Sequence, residues 1–225
     1  LKLAGGLASV RVEGDELVAG GGAANAVCLH RARDAGLGGF EFASAIPGTV
    51  GGGVRMNAGA YGREFCDVLV DVLVVDSDGA RRIPVDQLDL SYRHSGLRAG
   101  QVVAEVRFRL EASSSEVVKA RVAELLGQRK ATQPTNKRTF GSVFKNPEGS
   151  PGAGRMIEEC GLKGHTIGGA LVSPRHANFI ENAGGATSAD CIAVMAEARS
   201  RVAERFGYEL EHEVRLLGPL ELPAL

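Results

Sequence analysis

Gln101-Val102-Val103-Ala104-Glu105-Val106-Arg107-Phe108-Arg109-Leu110-Glu111-Ala112-Ser113-Ser114-Ser115-Glu116 changes character halfway along. In its first part Val102, Ala104, Val106, Phe108 and Leu110 fall on one side, and Glu105, Arg107 and Arg109 on the other. Side chains alternate across a strand, so the pattern predicts a half-buried strand over 101–111. The run Ala112-Ser113-Ser114-Ser115 ends the alternation, and Ser113 with Glu116 has capping-box spacing, which predicts a helix to about Lys130. Strand, break and helix in direct succession predict an α+β chain in two lobes that meet near residue 113.

Upstream, Val10 to Val12 and Glu16 to Ala19 read as short strands around the turn Gly14-Asp15. Ala23 to Ala35 has helical composition and stops at Gly36, a good residue just past a helix end. Val68 to Val75 reads as a strand closed by the turn Asp76-Ser77-Asp78-Gly79. Downstream, a short helix is predicted over Gly154 to Cys160, ended by Gly161, and a strand over Asn178 to Ile180. Thr187 or Ser188 caps a long helix whose Ile192, Met195, Val202 and Phe206 share a stripe, ended by Gly207. A last strand is predicted over Glu209 to Leu217 from its alternation.

The 26 basic and 27 acidic residues of this 225-residue chain nearly cancel, so no basic field marks a nucleic-acid binder. No apolar run is long enough to span a bilayer, and no signal-peptide layout opens the chain. Cys28, Cys66, Cys160 and Cys191 are scattered without a C-x-x-C pair and read as reduced, mostly buried thiols of a cytoplasmic protein. The five histidines are equally dispersed, so no metal site is expected.

Five constellations are candidates for chemistry. Gly141-Ser142-Val143-Phe144-Lys145-Asn146-Pro147 joins a hydroxyl donor, a fixed cation and an amide, which suits a reaction whose negative charge must be quenched by a proton; taken alone it also reads as a polar turn. Ala45-Ile46-Pro47-Gly48-Thr49-Val50-Gly51-Gly52-Gly53 and Met56-Asn57-Ala58-Gly59-Ala60-Tyr61-Gly62 are dense enough in glycine to point backbone N–H groups at a pyrophosphate, and so suggest a nucleotide cofactor. Gly20-Gly21-Gly22 follows a strand but lacks the G-x-G-x-x-G continuation of a dinucleotide fold. Ser91-Tyr92-Arg93-His94-Ser95 offers a guanidinium fork for a carboxylate, or an ordinary surface arginine. Basic residues at Lys130, Lys137, Arg138, Lys145 and Lys163 read as phosphate contacts or as a solvated face, and Glu213, on the same strand face as Arg215 and opposite the apolar residues, reads as a charged, solvent-exposed face.

In their order along the chain, these motifs closely resemble the UDP-N-acetylenolpyruvoylglucosamine reductase family. The resemblance rests on Ile-Pro-Gly-x-Val-Gly-Gly, Met-Asn-Ala-Gly-Ala-Tyr-Gly, Ser-Tyr-Arg-x-Ser, Gly-Ser-Val-Phe-Lys-Asn-Pro, His-Ala-Asn-Phe-Ile and Glu-Val-Arg, and runs from about residue 16 to residue 218. The unbroken Ser-Tyr-Arg-His-Ser resembles the shorter of the family's two types. The resemblance implies residues 1–112 as the second part of an FAD-binding domain and 113–225 as an α+β substrate-binding domain. It also implies a further Gly-rich loop ahead of Leu1, so the chain is expected to lack the first cofactor lobe and to hold FAD weakly.

The implied activity is reduction of an enolpyruvyl ether of UDP-N-acetylglucosamine by NADPH through FAD, in a monomeric enzyme of peptidoglycan precursor synthesis. The resemblance implies Ser142 as general acid, with Arg93 and Glu213 holding the carboxylate and stabilising the intermediate. It implies Ile46, Pro47, Gly48, Val50, Gly51, Gly52, Asn57, Ala58, Gly59, Tyr61 and Arg215 around the cofactor. Lys130, Lys145, Asn146, Lys163 and His176 are implied around the substrate. A carboxylate-conjugated carbanion is basic enough to take a serine proton when cations stabilise the alkoxide. Glu213 helps only if protonated or bridged to a cation, because a bare carboxylate opposes an enolate. The rival readings are a related FAD-linked oxidase, a flavin-free UDP-sugar-binding fragment, and a purely structural protein.

Overall fold

A computed structural model describes residues 2–224. By contacts the chain divides into two compact units, one up to Gln128 and one from Arg129.

The first unit is built on an antiparallel five-stranded sheet. Its elements in chain order are β1 (Val10–Glu13), β2 (Glu16–Gly20), α1 (Asn25–Asp34), β3 (Leu37–Gly38), α2 (Val50–Arg55), β4 (Gly59–Ala60), β5 (Arg63–Glu64), β6 (Leu69–Asp76), β7 (Gly79–Pro84), β8 (Val102–Arg109) and β9 (Glu111–Ala112). The main sheet runs β1-β2-β8-β6-β7. The alternation in β8 is realised: Val106, Phe108 and Leu110 are buried. On its other face Glu105 pairs with Arg11 and Arg82, Arg107 with Glu16 and Asp71, and Arg109 with Glu16. Val103 is buried out of turn because the ladder to β6 slips, Leu73 facing Glu105 while Val74 faces Val103. Cys28, Leu29 and Ala32 of α1 enter the same core. At its centre Phe40, Phe42, Phe65 and Phe108 meet edge-on or tilted, with centroids 5.0–6.0 Å apart.

Helix α3 (Ser115–Thr132) follows, and the division between units falls inside it. Ser114 rather than Ser113 caps it, accepting from the Val117 N–H at 3.3 Å, because the helix starts one residue later than the Ser113–Glu116 spacing predicts.

The second unit carries β10 (Thr139–Ser142), α4 (Ala153–Glu159), β11 (Thr166–Ile167), β12 (Ala170–Val172), β13 (Phe179–Asn182) and α5 (Ser188–Phe206). Its antiparallel sheet has the order β10-β13-β12-β11. Thr187 caps α5 in a reciprocal capping box with Asp190, and Gly207 ends it at φ 72°. The buried stripe of α5 is Val194, Met195, Ala198 and Val202, while Ile192 and Phe206 lie half-buried at its margins.

The last strand expected over Glu209 to Leu217 does not form. One bridge, Phe144 with His212, is all the ladder this segment makes among the described residues. Its alternation serves instead to bury Leu210 while Glu211 stays exposed. Of the four cysteines, none in a disulfide, only Cys28 is fully buried; the others are half-buried, against the expectation of mostly buried thiols. Among the described residues no helix is long and apolar enough to cross a membrane.

Candidate functional site

The glycine-dense stretch of the first unit packs backbone against backbone. The Gly51 N–H donates to Gly21 O (2.9 Å) and the Val50 N–H to Ala23 O (2.9 Å). A Cβ on Gly51 would lie 2.7 Å from Gly21 O, and one on Gly21 would overlap the Val103 carbonyl. Packing therefore explains these two glycines. It does not explain Gly52, whose nearest neighbour would be Thr49 Oγ1 at 3.7 Å. Gly52 opens onto a cavity of about 510 Å³, walled by Gly21, Gly22, Thr49, Gly51 and Val103 with Arg55 and Lys2 at its sides. The N–H groups of Gly21, Gly22 and Gly51 are taken up by backbone carbonyls, so what fits this cavity to the diphosphate of a dinucleotide such as FAD is its side-chain-free wall beside two cations. Ile46 and Gly48 are fixed by Asn25, whose Nδ2 donates to Ile46 O (3.1 Å) and whose N–H donates to Gly48 O (3.1 Å). Pro47 lies exposed between them, and Val50 is fully buried in the core.

Asn57, expected at the cofactor, is a completely buried hub at φ 37°. Its Nδ2 donates to Glu64 Oε2 (2.8 Å) and Ser91 O (3.1 Å), and its Oδ1 accepts from the Cys66 N–H (3.0 Å). Gly59 pairs with Glu64 and Ala60 with Arg63, joined by Tyr61 and Gly62 at φ 56° and 76°, the positive pair that a two-residue hairpin turn requires. Ala58 is half-buried beside the core. The Tyr61 hydroxyl donates to Leu125 O (2.8 Å).

Arg93 belongs to the same cluster. It sits at φ 55° in a tight turn closed by Ser91 and His94. Its Nη2 donates to Gly59 O (3.0 Å), its Nη1 lies 3.4 Å from Glu64 Oε1, and its guanidinium stacks on Tyr92 at 4.7 Å. Ser95, from the same motif, donates to Arg55 O at the end of α2 (2.8 Å). Glu64 thus receives both Asn57 and Arg93, and nothing in its sequence neighbourhood signalled that role.

In the second unit Ser142 ends β10, exposed, after a bulge made possible by Gly141 at φ 85°. Val143 turns inward and its carbonyl accepts from the Glu213 N–H (2.8 Å). Glu213, expected on an open strand face, is half-buried, and its backbone lies opposite the residue that follows Ser142. Lys145 reaches Glu211 (2.6 Å), and its N–H donates to Glu211 O (2.9 Å). Asn146 Oδ1 accepts from the Ala153 N–H at the start of α4 (2.9 Å), so that side chain anchors a helix as well as a loop.

Asn178 ties this group together. It accepts from the Phe144 N–H (2.9 Å), donates to Phe144 O (2.8 Å), and its N–H donates to His176 Nδ1 (3.2 Å). That last bond makes Nδ1 an acceptor, and burial pushes the His176 imidazole below its ordinary pKa, with Lys163 adding to the shift. Both favour the neutral ring. Gly154 makes room for it: a Cβ there would lie 2.9 Å from His176 Cε1. Lys163 pairs with Glu158 (2.7 Å). Lys130 is exposed, and its carbonyl accepts from Arg175 (2.8 Å). Arg215 lines a largely apolar cavity of about 520 Å³ together with Arg138, Thr139 and Phe140.

The expected site residues therefore separate by unit. Arg93 and the cofactor residues other than Arg215 belong to the first, and Ser142, Glu213, Arg215 and the substrate residues to the second.

Comparison with known proteins matches both units. An FAD binding domain family model covers residues 1–82, and one for the UDP-N-acetylenolpyruvoylglucosamine reductase C-terminal domain covers residues 133–217. The UDP-N-acetylenolpyruvoylglucosamine reductase of Anaeromyxobacter dehalogenans (strain 2CP-C) is 47% identical over 216 residues, covering 95% of this chain and 65% of that protein. That of Acidiphilium cryptum (strain JF-5) is 44% identical over 219 residues, covering 97% and 71%. The crystal structure of the reductase (MurB) from Thermus caldophilus superposes with a TM-score of 0.83 at 36% identity, covering 95% of this chain and 76% of that one. The chain thus spans about two thirds of the length of these curated relatives. On these matches, the chain belongs to the UDP-N-acetylenolpyruvoylglucosamine reductase family.

Proposed function

We propose that this chain acts in the reduction of the enolpyruvyl ether of UDP-N-acetylglucosamine to UDP-N-acetylmuramate, with FAD as cofactor and NADPH as reductant, in the cytoplasm. The observation that carries the reading is the single framework in the second unit. Asn178 binds Val143, Phe144 and His176, and the Val143 and Lys145 backbones bind Glu213 and Glu211, so the chain that carries Ser142, Lys145 and Asn146 is tied to the chain around His176 and Glu213.

The glycine-walled cavity with Arg55 and Lys2 is where we place the FAD diphosphate, Gly52 being the wall that packing leaves open. Bound FAD, once reduced by NADPH, supplies a hydride to the terminal carbon of the enolpyruvyl group. The chain's own residues then do the rest. Arg93, preset by Glu64 and Gly59 O, offers a delocalised charge to the substrate carboxylate as electrons move onto it. Ser142, exposed at a strand end, gives its proton to the neighbouring carbon. Lys145 lowers the energy of the alkoxide left behind, and Glu213 in its protonated or cation-bridged form tolerates the charge on the enolate. Lys130, Asn146, Lys163 and His176 are assigned to the substrate. Ile46, Pro47, Gly48, Val50, Gly51, Asn57, Ala58, Gly59, Tyr61 and Arg215 are assigned to the cofactor, Val50 and Asn57 by shaping its loops from beneath.

The test is the visible spectrum of the purified chain with added FAD, then NADPH, then the enolpyruvyl substrate. A flavin band that bleaches with NADPH and returns with substrate supports the reading. Ser142→Ala should keep the bleaching and slow the return by about 10²–10⁴-fold. Affinity for UDP-sugars without any retained flavin would instead favour a substrate-binding fragment.

A further inference from the structure

Arg199 is one of the few buried charged residues of the described chain, with its side chain 10% exposed on the inner face of α5. A buried charge is costly unless hydrogen-bonded. Arg199 meets that demand with three nitrogens aimed at three separate points of the chain beyond α5. Its Nε donates to Leu210 O (3.1 Å), its Nη1 to Pro223 O (2.7 Å), and its Nη2 pairs with Glu209 Oε1 (2.9 Å). Arginine alone among side chains offers such a diverging, permanently charged set of donors.

The segment it grips is not held by a continuous sheet ladder. From Gly207 to Ala224 the described chain forms no strand beyond the single bridge at His212. Its restraints besides Arg199 include the buried Leu210, the packing of Tyr208, Val214 and Leu222 on the core, the Lys145–Glu211 ion pair (2.6 Å), the contact of His212 Nδ1 with Val214 O (2.7 Å), and the two backbone bonds to Val143 and Lys145. Glu213 lies inside this segment, between the clamped Glu209 and Leu210 on one side and the clamped Pro223 on the other.

We infer that Arg199 is a positioning residue for Glu213: it cross-links α5 to both ends of the segment and holds Glu213 in register against Val143. The inference rests on the catalytic reading of Glu213 above. It acts through the backbone, since none of its three acceptors is itself a proposed reacting group.

Amide hydrogen exchange tests the clamp without reference to activity. In Arg199→Met, exchange over residues 209–217 should rise by about tenfold or more while α4 and β13 keep their protection. In Arg199→Lys, which keeps the charge but not the three directions, the rise should be smaller, about threefold. In the FAD-loaded enzyme the Met variant should lower kcat by about tenfold with KM nearly unchanged, because the perturbed group acts in the transition state. Exchange that rises equally in α4 and β13 would make Arg199 a general stabiliser and overturn the inference, as would unchanged exchange. If the Met variant does not fold, an Arg199→Lys protein with parental exchange over 209–217 overturns it on its own. Faster local exchange with kcat intact would uphold the clamp and refute the catalytic role of Glu213.

Discussion

Replacing Asn57 with alanine removes the side chain on which the Arg93 cluster is assembled. Three bonds are lost: a charge-assisted one to Glu64, one to Ser91 O, and one from the Cys66 N–H. The first is worth about 1.5–3 kcal/mol, and each buried group left unpaired costs about 1–3 kcal/mol. Asn57 also sits at φ 37°, where asparagine is tolerated and alanine is disfavoured by about 1–2 kcal/mol. Water admitted to the vacated space offsets part of this, so Asn57→Ala should destabilise the first unit by about 3–5 kcal/mol. Asn57→Gly loses the same bonds without the backbone strain and should recover about 1 kcal/mol of that. Guanidinium titration followed by circular dichroism measures the change, and thiol labelling of the neighbouring Cys66 assigns it to this unit. An alanine variant within about 1 kcal/mol of the parent would show that water replaces the hub's bonds, and would refute the argument that Asn57 presets Glu64 and Arg93.

Two adjacent glycines should behave differently. Gly53→Ala drives a Cβ into the fully buried Phe65 ring and should cost about 1–3 kcal/mol in unfolding experiments, whereas Gly52→Ala, in open space within α2, should keep or raise stability by up to about 1 kcal/mol and weaken FAD binding in a flavin titration. The His176 imidazole is held below its ordinary pKa by burial, so the unfolded chain binds a proton that the folded one resists. The stabilisation from its neutral form is complete above the unfolded value of about 6.5 and is lost as the pH falls toward the folded value. Comparing unfolding midpoints at neutral and mildly acid pH should show this slope, and His176→Gln should flatten it. Burial pushes the Cys28 thiol up to about 12, so at pH 8 a thiol reagent should modify Cys66, Cys160 and Cys191 first and reach Cys28 only as fast as the first unit opens.

Local pattern and motif order carried much of this protein. The alternation over 101–111 specified β8 and its charged outer face, because period two places residues on a strand without reference to distant partners. The Thr187 cap and the glycines at 36, 161 and 207 set helix ends for the same local reason. The family was legible because its motifs occur together and in order. Three features were not legible. The Glu209 to Leu217 segment alternates like a strand yet lacks a continuous partner, and pairing is a property of two segments. Glu64, Asn178 and Arg199 are ordinary residues in sequence, and become a shared acceptor for Asn57 and Arg93, a hub and a clamp only when the fold brings distant atoms within hydrogen-bond reach. The glycines at 51 and 52 look alike in sequence. Only packing separates them, because Gly51 faces a neighbouring backbone and Gly52 faces open space.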